Sequence, residues 1–186
     1  HTAVVGTVNS ANNSISFGSE VVFQDSEITG DQMDCVFDSN ANKVVIFYTD
    51  TNNPSTDDRT GTAIVGTVSG TSISFGTKAA FESGNTQHIN ACFDSNANKF
   101  VVAYKDADNS DYGTAAVGSS ENKVVIAYRD QAASQQATAV VGTVSGTSIS
   151  FGSETVVSAS SASMIELVFD SSNNKMVLFY ADGGNS

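Results

Sequence analysis

The heptapeptide Phe-Asp-Ser-Asn-Ala-Asn-Lys occurs at Phe37–Lys43 and again at Phe93–Lys99, with a variant, Phe-Asp-Ser-Ser-Asn-Asn-Lys, at Phe169–Lys175. Each copy runs into a short apolar stretch that closes on Tyr-x-Asp, and a clipped copy, Ser-Ser-Glu-Asn-Lys, spans Ser119–Lys123. A second block, Thr-Ala-Val-Val-Gly-Thr-Val followed by Ser-Ile-Ser-Phe-Gly, recurs in step with the first. Equivalent threonines, Thr62 and Thr114, lie 52 residues apart. Self-similarity at such a period marks one supersecondary unit copied in tandem. The chain is therefore confined to a repeat architecture before any single strand is assigned.

In the copy beginning at Gln87, His88–Asp94 reads as a strand, Ser95–Asn98 as a tight polar turn and Lys99–Asp106 as a second strand. A looser loop, Ala107–Tyr112, leads to a third strand at Gly113–Gly118, which in the neighbouring copy runs on as Thr62–Val68. Ser69-Gly70 then turns the chain into a fourth strand, Ser72–Phe81, a plausible two-residue hairpin. The unit is a four-stranded antiparallel meander, its strands lettered A to D. Short apolar pieces jointed by Ser, Thr, Asn and Gly, with Pro54 as the one proline, are an all-β signature.

Strand A alternates: Met33, Cys35 and Phe37 share one face, as do Ile89, Ala91 and Phe93, and Ile165, Leu167 and Phe169. Asp34, Asn90 and Glu166 occupy the other face and are candidates for a central channel that holds a cation or polar ligand. Strand B is apolar on both faces, as in Val44–Tyr48, and such a strand must be covered on both sides. A small meander cannot cover itself. Units must stack face to face, either as a closed β-propeller or as an open β repeat array.

A chain of 186 residues buries roughly 70% of its unfolded surface and needs neither metal nor disulfide to fold. Its net charge of −12 repels phosphate backbones and anionic lipid, so neither nucleic acid nor a membrane is an expected partner. The apolar runs are far shorter than a membrane-crossing helix requires. The chain opens at His1 inside a repeat unit, without a signal or transit peptide; it reads as a mature product or fragment, extracellular or from a virion. Cys35 lies two residues before its repeat phenylalanine and Cys92 one before. Period-two geometry sends them to opposite faces, and two free buried thiols are expected.

The pattern apolar-x-apolar, Phe-Asp, Ser-Asn-x-Asn, Lys, apolar run, Tyr-x-Asp resembles the inner hairpin of NHL/YVTN-type β-propeller blades, over nearly the whole chain. The C–D block over residues 138–154 is not typical of those blades. It resembles tandem repeats of uncharacterised marine phage and bacterial secreted proteins. The resemblance implies a propeller of four-stranded blades and a role in recognition, and it carries over no catalytic residues.

Spacing places the blades. A single repeat domain over 1–186 divides into a C–D half blade over 1–23, a full blade over 31–81, partial blades over 87–118 and 119–157, and an A–B half blade over 163–186. The two terminal halves together make one blade. Thr114 and Thr138 are only 24 residues apart, 28 short of the repeat, as if strands D and A were missing between Gly118 and Ser119. A natural deletion, a stretch left out of the sequence and a larger excision of whole repeats all fit that gap. A cut inside a strand is expected to leave two unpaired edges.

Strand parity puts the short A–B and C–D turns at one end of the unit and the variable B–C and D–A loops at the other. The D–A loops are read at residues 24–31, 82–87 and 158–162. Variable loops on a rigid scaffold are the usual seat of recognition, and Asp57, Arg59, His88, Asp108 and Tyr112 are the candidate ligand contacts. Asp106, Asp108 and Asp111 have the alternating oxygens of a calcium loop, so calcium is a possible cofactor; the EF-hand glycine and distal glutamate are missing. The recurring Tyr48, Tyr104, Tyr128 and Tyr180 are expected to pack, with hydroxyls bonded near the rim. The recurring lysines, Lys43, Lys99, Lys123 and Lys175, are expected to pair with Asp38, Asp94 and Asp170. Two histidines and no metal-ligand cluster, nucleophile elbow or phosphate loop give catalysis little support. The expectation is a non-enzymatic module that binds a glycan or cell-surface ligand and forms a homo-oligomer or larger assembly. The alternatives are a structural repeat spacer of an extracellular fibre and a propeller-type lyase or glycosidase.

Overall fold

A computed structural model of the chain describes residues 1–25, 33–51, 59–108, 115–120, 123–130, 133–146, 148–170, 173 and 175–184. All the regular structure among them is β-strand, arranged in four open antiparallel sheets. The contacts divide the chain into two compact units, His1–Thr86 and Gln87–Ser186.

The first unit contains the complete repeat. Strands β5 (Met33–Asp38), β6 (Lys43–Asp50), β7 (Thr60–Ser69) and β8 (Ser72–Phe75) follow the A-to-D order. The A–B turn is built by its own side chains. Asp38 Oδ1 accepts the backbone N–H groups of Asn40 and Ala41, both at 2.9 Å. Asn42 then closes the turn at φ 54°, a left-handed conformation that asparagine tolerates better than most residues. The second copy repeats this with Asp94 and Asn98. These turn bonds take the carboxylates that were expected to pair with the lysines. Lys43 Nζ instead donates to Thr67 Oγ1 on strand C at 2.8 Å, and Lys123 Nζ does the same to Thr143 Oγ1. At the C–D turn Ser69 pairs with Ser72, which makes Gly70-Thr71 the loop residues, one step later than the spacing suggested. Gly70 has φ +60°, which a two-residue turn with glycine first demands.

Strand β6 is covered on both faces, as its composition required: Val45, Ile46, Phe47 and Tyr48 are all buried. One face is covered by the N-terminal C–D strand pair, which comprises β1 (Thr2–Ala3), β2 (Gly6–Asn9), β3 (Ser14–Phe17) and β4 (Val21–Val22). Phe23, at the end of that strand pair, packs with Ile46, Tyr48, Ile64, Ala3 and Phe75. Its ring meets Tyr48 edge-on at 5.6 Å and Phe75 at 5.5 Å. On the other face Phe81 meets Phe47 at 6.2 Å.

Two expectations about connections are corrected. The segments read as D–A loops at 82–87 and 158–162 are strand. They lie within β9 (Ala79–Asp94) and β15 (Thr155–Asp170), each 16 residues long. Their serines, asparagines and threonines gave a loop-like local composition, yet the neighbouring C strand supplies partners, with Gly61 opposite Glu82 and Thr60 opposite Asn85. The surplus residues are absorbed as register shifts, which bend and twist the strand. The fused strand at the shortened junction is also paired. β11 (Ala115–Ser120) lies antiparallel to β12 (Lys123–Asp130), with Ser120 opposite Lys123 as Asp38 is opposite Lys43. Strands A and C run in the same direction, so a chain lacking D and A can begin as C and serve as A. The remaining edge belongs to β10 (Lys99–Asp106), which ends its sheet.

In the second unit β12 pairs with β13 (Gln136–Ser145), which in turn carries β14 (Ser148–Phe151) and the first half of β15. Its core gathers Cys92, Val124, Val101, Ala103, Ile126, Val144 and Ile149. The second half of β15 pairs with β16 (Lys175–Asp182) as an A–B strand pair. Cys92 is buried as expected, but Cys35 is exposed. It shares its side of β5 with Met33 and Phe37, and that side is open.

Candidate functional site

The Tyr-x-Asp end of strand B carries the most developed polar chemistry. In the first unit Gln24, almost wholly buried, links three groups. Its Nε2 donates to Asp50 Oδ1 at 2.6 Å, its Oε1 accepts from Lys78 Nζ, and its backbone carbonyl accepts from the His1 ammonium. Lys78 Nζ also reaches Asp50 Oδ2 at 3.1 Å. Next to this cluster Thr49 Oγ1 donates to the Thr86 carbonyl at 3.0 Å, and Thr86 donates through both N and Oγ1 to the Arg59 carbonyl at 2.9 Å.

In the second unit the same repeat positions are filled differently. Glu154 stands where Lys78 stands, and Tyr128 Oη donates to its Oε1. Asp130 Oδ1 caps the start of the following loop through the N–H of Ala133 at 3.2 Å. Gln136 Nε2 and Ser161 Oγ add bonds between the strand C entry and β15. One scaffold position therefore presents an ammonium in one copy and a carboxylate in another. Gln24 and Lys78 were not anticipated. The available signal was the lysine at a position where the other copies have Glu20 and Glu154.

The tyrosines divide in the same way. Tyr128 has its hydroxyl bonded, as expected. Tyr48 does not: it is fully buried and its Oη has no hydrogen-bond partner, because Asp50 is turned toward Gln24 and Lys78. Burial, with the Asp50 charge adding, pushes the Tyr48 phenol above its ordinary pKa. Burial, then the bond to Glu154 and the nearby carboxylates, does the same for Tyr128. Tyr48→Phe is expected to stabilise the protein by about 1 kcal/mol, since it removes an unsatisfied buried hydroxyl, and Tyr128→Phe to cost about 1 kcal/mol. For both tyrosines the folded state holds its proton more tightly, so stability falls as pH rises above the free phenol's value near 10. Urea denaturation of the two variants at neutral and alkaline pH checks both signs.

Among the sequence-derived candidates, Arg59 is half-buried at the entry to β7, with its carbonyl held by Thr86. His88 is exposed within β9 at φ 51°. Met164 has the same φ at the equivalent position of β15, where Met164 and Ile165 lie opposite Tyr180 alone. The backbone kink therefore belongs to the repeat, as a bulge between two pairing partners, and not to the imidazole. Asp108 is exposed and donates its N–H to Asp106 Oδ1 at 3.1 Å, the geometry of an Asx-turn. Asp57, Asp111 and Tyr112 lie outside the described residues. Among those described, no three His, Cys, Asp or Glu side chains form a metal-binding group. Asp34 and Asn90 are half-buried and Glu166 exposed, at equivalent positions of β5, β9 and β15. Asp34 accepts the N–H of Cys35 at 2.7 Å. Comparison with family models, curated proteins and solved structures found no match to this chain.

Proposed function

We propose that the chain is a non-enzymatic recognition module of the β-propeller type, with four-stranded blades stacked about an axis and the terminal C–D and A–B halves making one blade. The observation that carries this reading is the pair of repeat-equivalent rim clusters. Asp50 and Lys78, bridged by Gln24, and Asp130 and Glu154, the latter bonded by Tyr128, stand on the same two scaffold positions with different chemistry. Rigid strands that display varied polar groups at one end fit the selection of a ligand rather than its transformation. The blades are proposed to resemble those of NHL/YVTN-type propellers.

The ligand class follows from charge. A chain of net charge −12 disfavours sulfated or sialylated glycans and favours neutral or amino sugars on a cell surface. Asp57, Arg59, His88, Asp108 and Tyr112 are the proposed contacts. Asp106, Asp108 and Asp111 are a calcium candidate, and no cofactor is required. The setting is extracellular or on a virion. Binding to neutral glycans on a broad array is expected, with Tyr112→Ala and Arg59→Ala each reducing it at least tenfold; silence across the array overturns the reading. A second reading, a structural repeat in an extracellular assembly, draws support from apolar side chains left open on both terminal half blades.

A further inference from the structure

We propose that Gln24, Asp50 and Lys78 form a self-crosslinking site, at which the Lys78 amine displaces the Gln24 amide nitrogen and joins the two side chains by an isopeptide bond. The three groups stand where that reaction needs them. Lys78 Nζ contacts Gln24 Oε1, so the carbonyl carbon it attacks is one C=O bond, about 1.2 Å, beyond that oxygen. Asp50 spans the nitrogen that enters and the nitrogen that leaves: its Oδ2 is 3.1 Å from Lys78 Nζ and its Oδ1 2.6 Å from Gln24 Nε2. Nζ gives up one proton to Oδ2 and, as a neutral amine, bonds to Gln24 Cδ. A second Nζ proton passes through the carboxylate to Nε2 as the Cδ–Nε2 bond breaks. The products are a secondary amide and ammonia, which departs with the first proton as ammonium and leaves Asp50 ionised again. The exchange balances without a further reactant.

Burial and sequence both support this chemistry. Gln24 is 1% exposed, which shields its carbonyl carbon from water and favours transfer to the amine over hydrolysis. Phe23, its neighbour in sequence, and Tyr48, two residues before Asp50, belong to one apolar cluster. An amine held against its acceptor in such a setting reacts as if at an effective concentration on the order of 10⁵–10⁸ M in well-aligned cases. The repeats set both reacting residues apart. Strand D carries Glu20, Lys78 and Glu154 at one position, and Gln24, Glu82 and Ser158 four residues further on. The one amine therefore comes from the second copy and the one carboxamide from the first, and stacking of the N-terminal strand pair on the complete repeat brings those two together across Asp50. In the second unit the equivalent Asp130 caps a loop and Glu154 takes the Tyr128 hydroxyl, so the same scaffold positions hold no reactive pair there. The link joins residues 54 apart and fastens the N-terminal strand pair to the complete repeat. It is independent of the ligand reading, which the glycan array tests separately.

Intact mass spectrometry of the full chain, folded and held at neutral pH, is expected to give a mass one ammonia below that of the sequence. Trypsin cannot cut after an acylated lysine, so digestion is expected to release residues 1–43 joined to residues 60–99, with fragment ions that place the bond between Gln24 and Lys78. A chain of full sequence mass that yields residues 60–78 as a separate peptide overturns the proposal. Lys78→Arg keeps a cation beside Asp50 but removes the amine, and it is expected to retain the full mass; loss of ammonia from that variant places the loss elsewhere and overturns the link. Asp50→Asn, followed by mass after cell-free synthesis, is expected to form the link at least tenfold more slowly, and an unchanged time course overturns the role of Asp50. Circular dichroism establishes that each variant is folded. The mass of the unsubstituted chain decides the proposal whichever way the variants behave.

Discussion

Phe47→Ala is expected to destabilise the protein by about 3–5 kcal/mol, the usual range for emptying a buried phenylalanine site. Phe179→Ala, at the same position of the last repeat, is expected to cost under about 0.5 kcal/mol, as exposed substitutions do. Both residues sit in the middle of a B strand that follows the same Asn-Lys dipeptide. The difference lies in their surroundings. Phe47 is 4% exposed, with the Phe81 ring 6.2 Å away at 66°; Phe179 is 59% exposed. Urea denaturation followed by far-ultraviolet circular dichroism measures both. Equal losses would mean that the last repeat is covered within its own chain, and a small loss at Phe47 would mean that β6 is not sandwiched.

That pair also marks where reading the sequence stops. The A–B hairpins were legible because everything that shapes them is local: an aspartate that accepts two backbone N–H groups, an asparagine that takes positive φ, and the start of an apolar strand. Double-sided burial of β6 was legible from its composition. Coverage of each repeat was not, since identical local patterns at Val45 and Val177 meet different neighbours. The same limit explains Cys35, whose alternation promised a buried face that nothing packs against. The continuous strands β9 and β15 were hidden by polar residues whose backbone bonds go to a distant C strand. Of the candidate site, the repeated Tyr-x-Asp end of strand B was visible, but Gln24 was not. Its role depends on the N-terminal strand pair being stacked on the complete repeat, which places its amide between Asp50 and Lys78.

Stacking of the N-terminal strand pair on the complete repeat has its sharpest test at a glycine. Gly18, Gly76 and Gly152 occupy one repeat position, and each donates its N–H to the strand C carbonyl of Val5, Val65 or Val141 at 2.9 Å. Local structure therefore treats the three alike. A Cβ at Gly76 or Gly152 would meet only a carbonyl oxygen, at 3.7 or 3.6 Å, which is ordinary contact. A Cβ at Gly18 would come within 1.9 Å of the Thr71 carbonyl oxygen, in the C–D turn of the following repeat. That neighbour is backbone in a tight two-residue turn and cannot swing aside, so the N-terminal strand pair must separate from the repeat. Gly18→Ala is expected to cost about 3 kcal/mol, at the upper end for overpacking. Gly76→Ala and Gly152→Ala are expected to be neutral or to stabilise by about 0.5 kcal/mol, through the lower entropy of the unfolded chain. Gly18→Ala should also quench the Phe23–Tyr48 ring contact, visible as a loss of near-ultraviolet circular dichroism, because the two rings meet only across that stacked face. Three alanine variants of equal stability would show that the first repeat does not lie against the second. The double-sided burial of β6 would then need another cover.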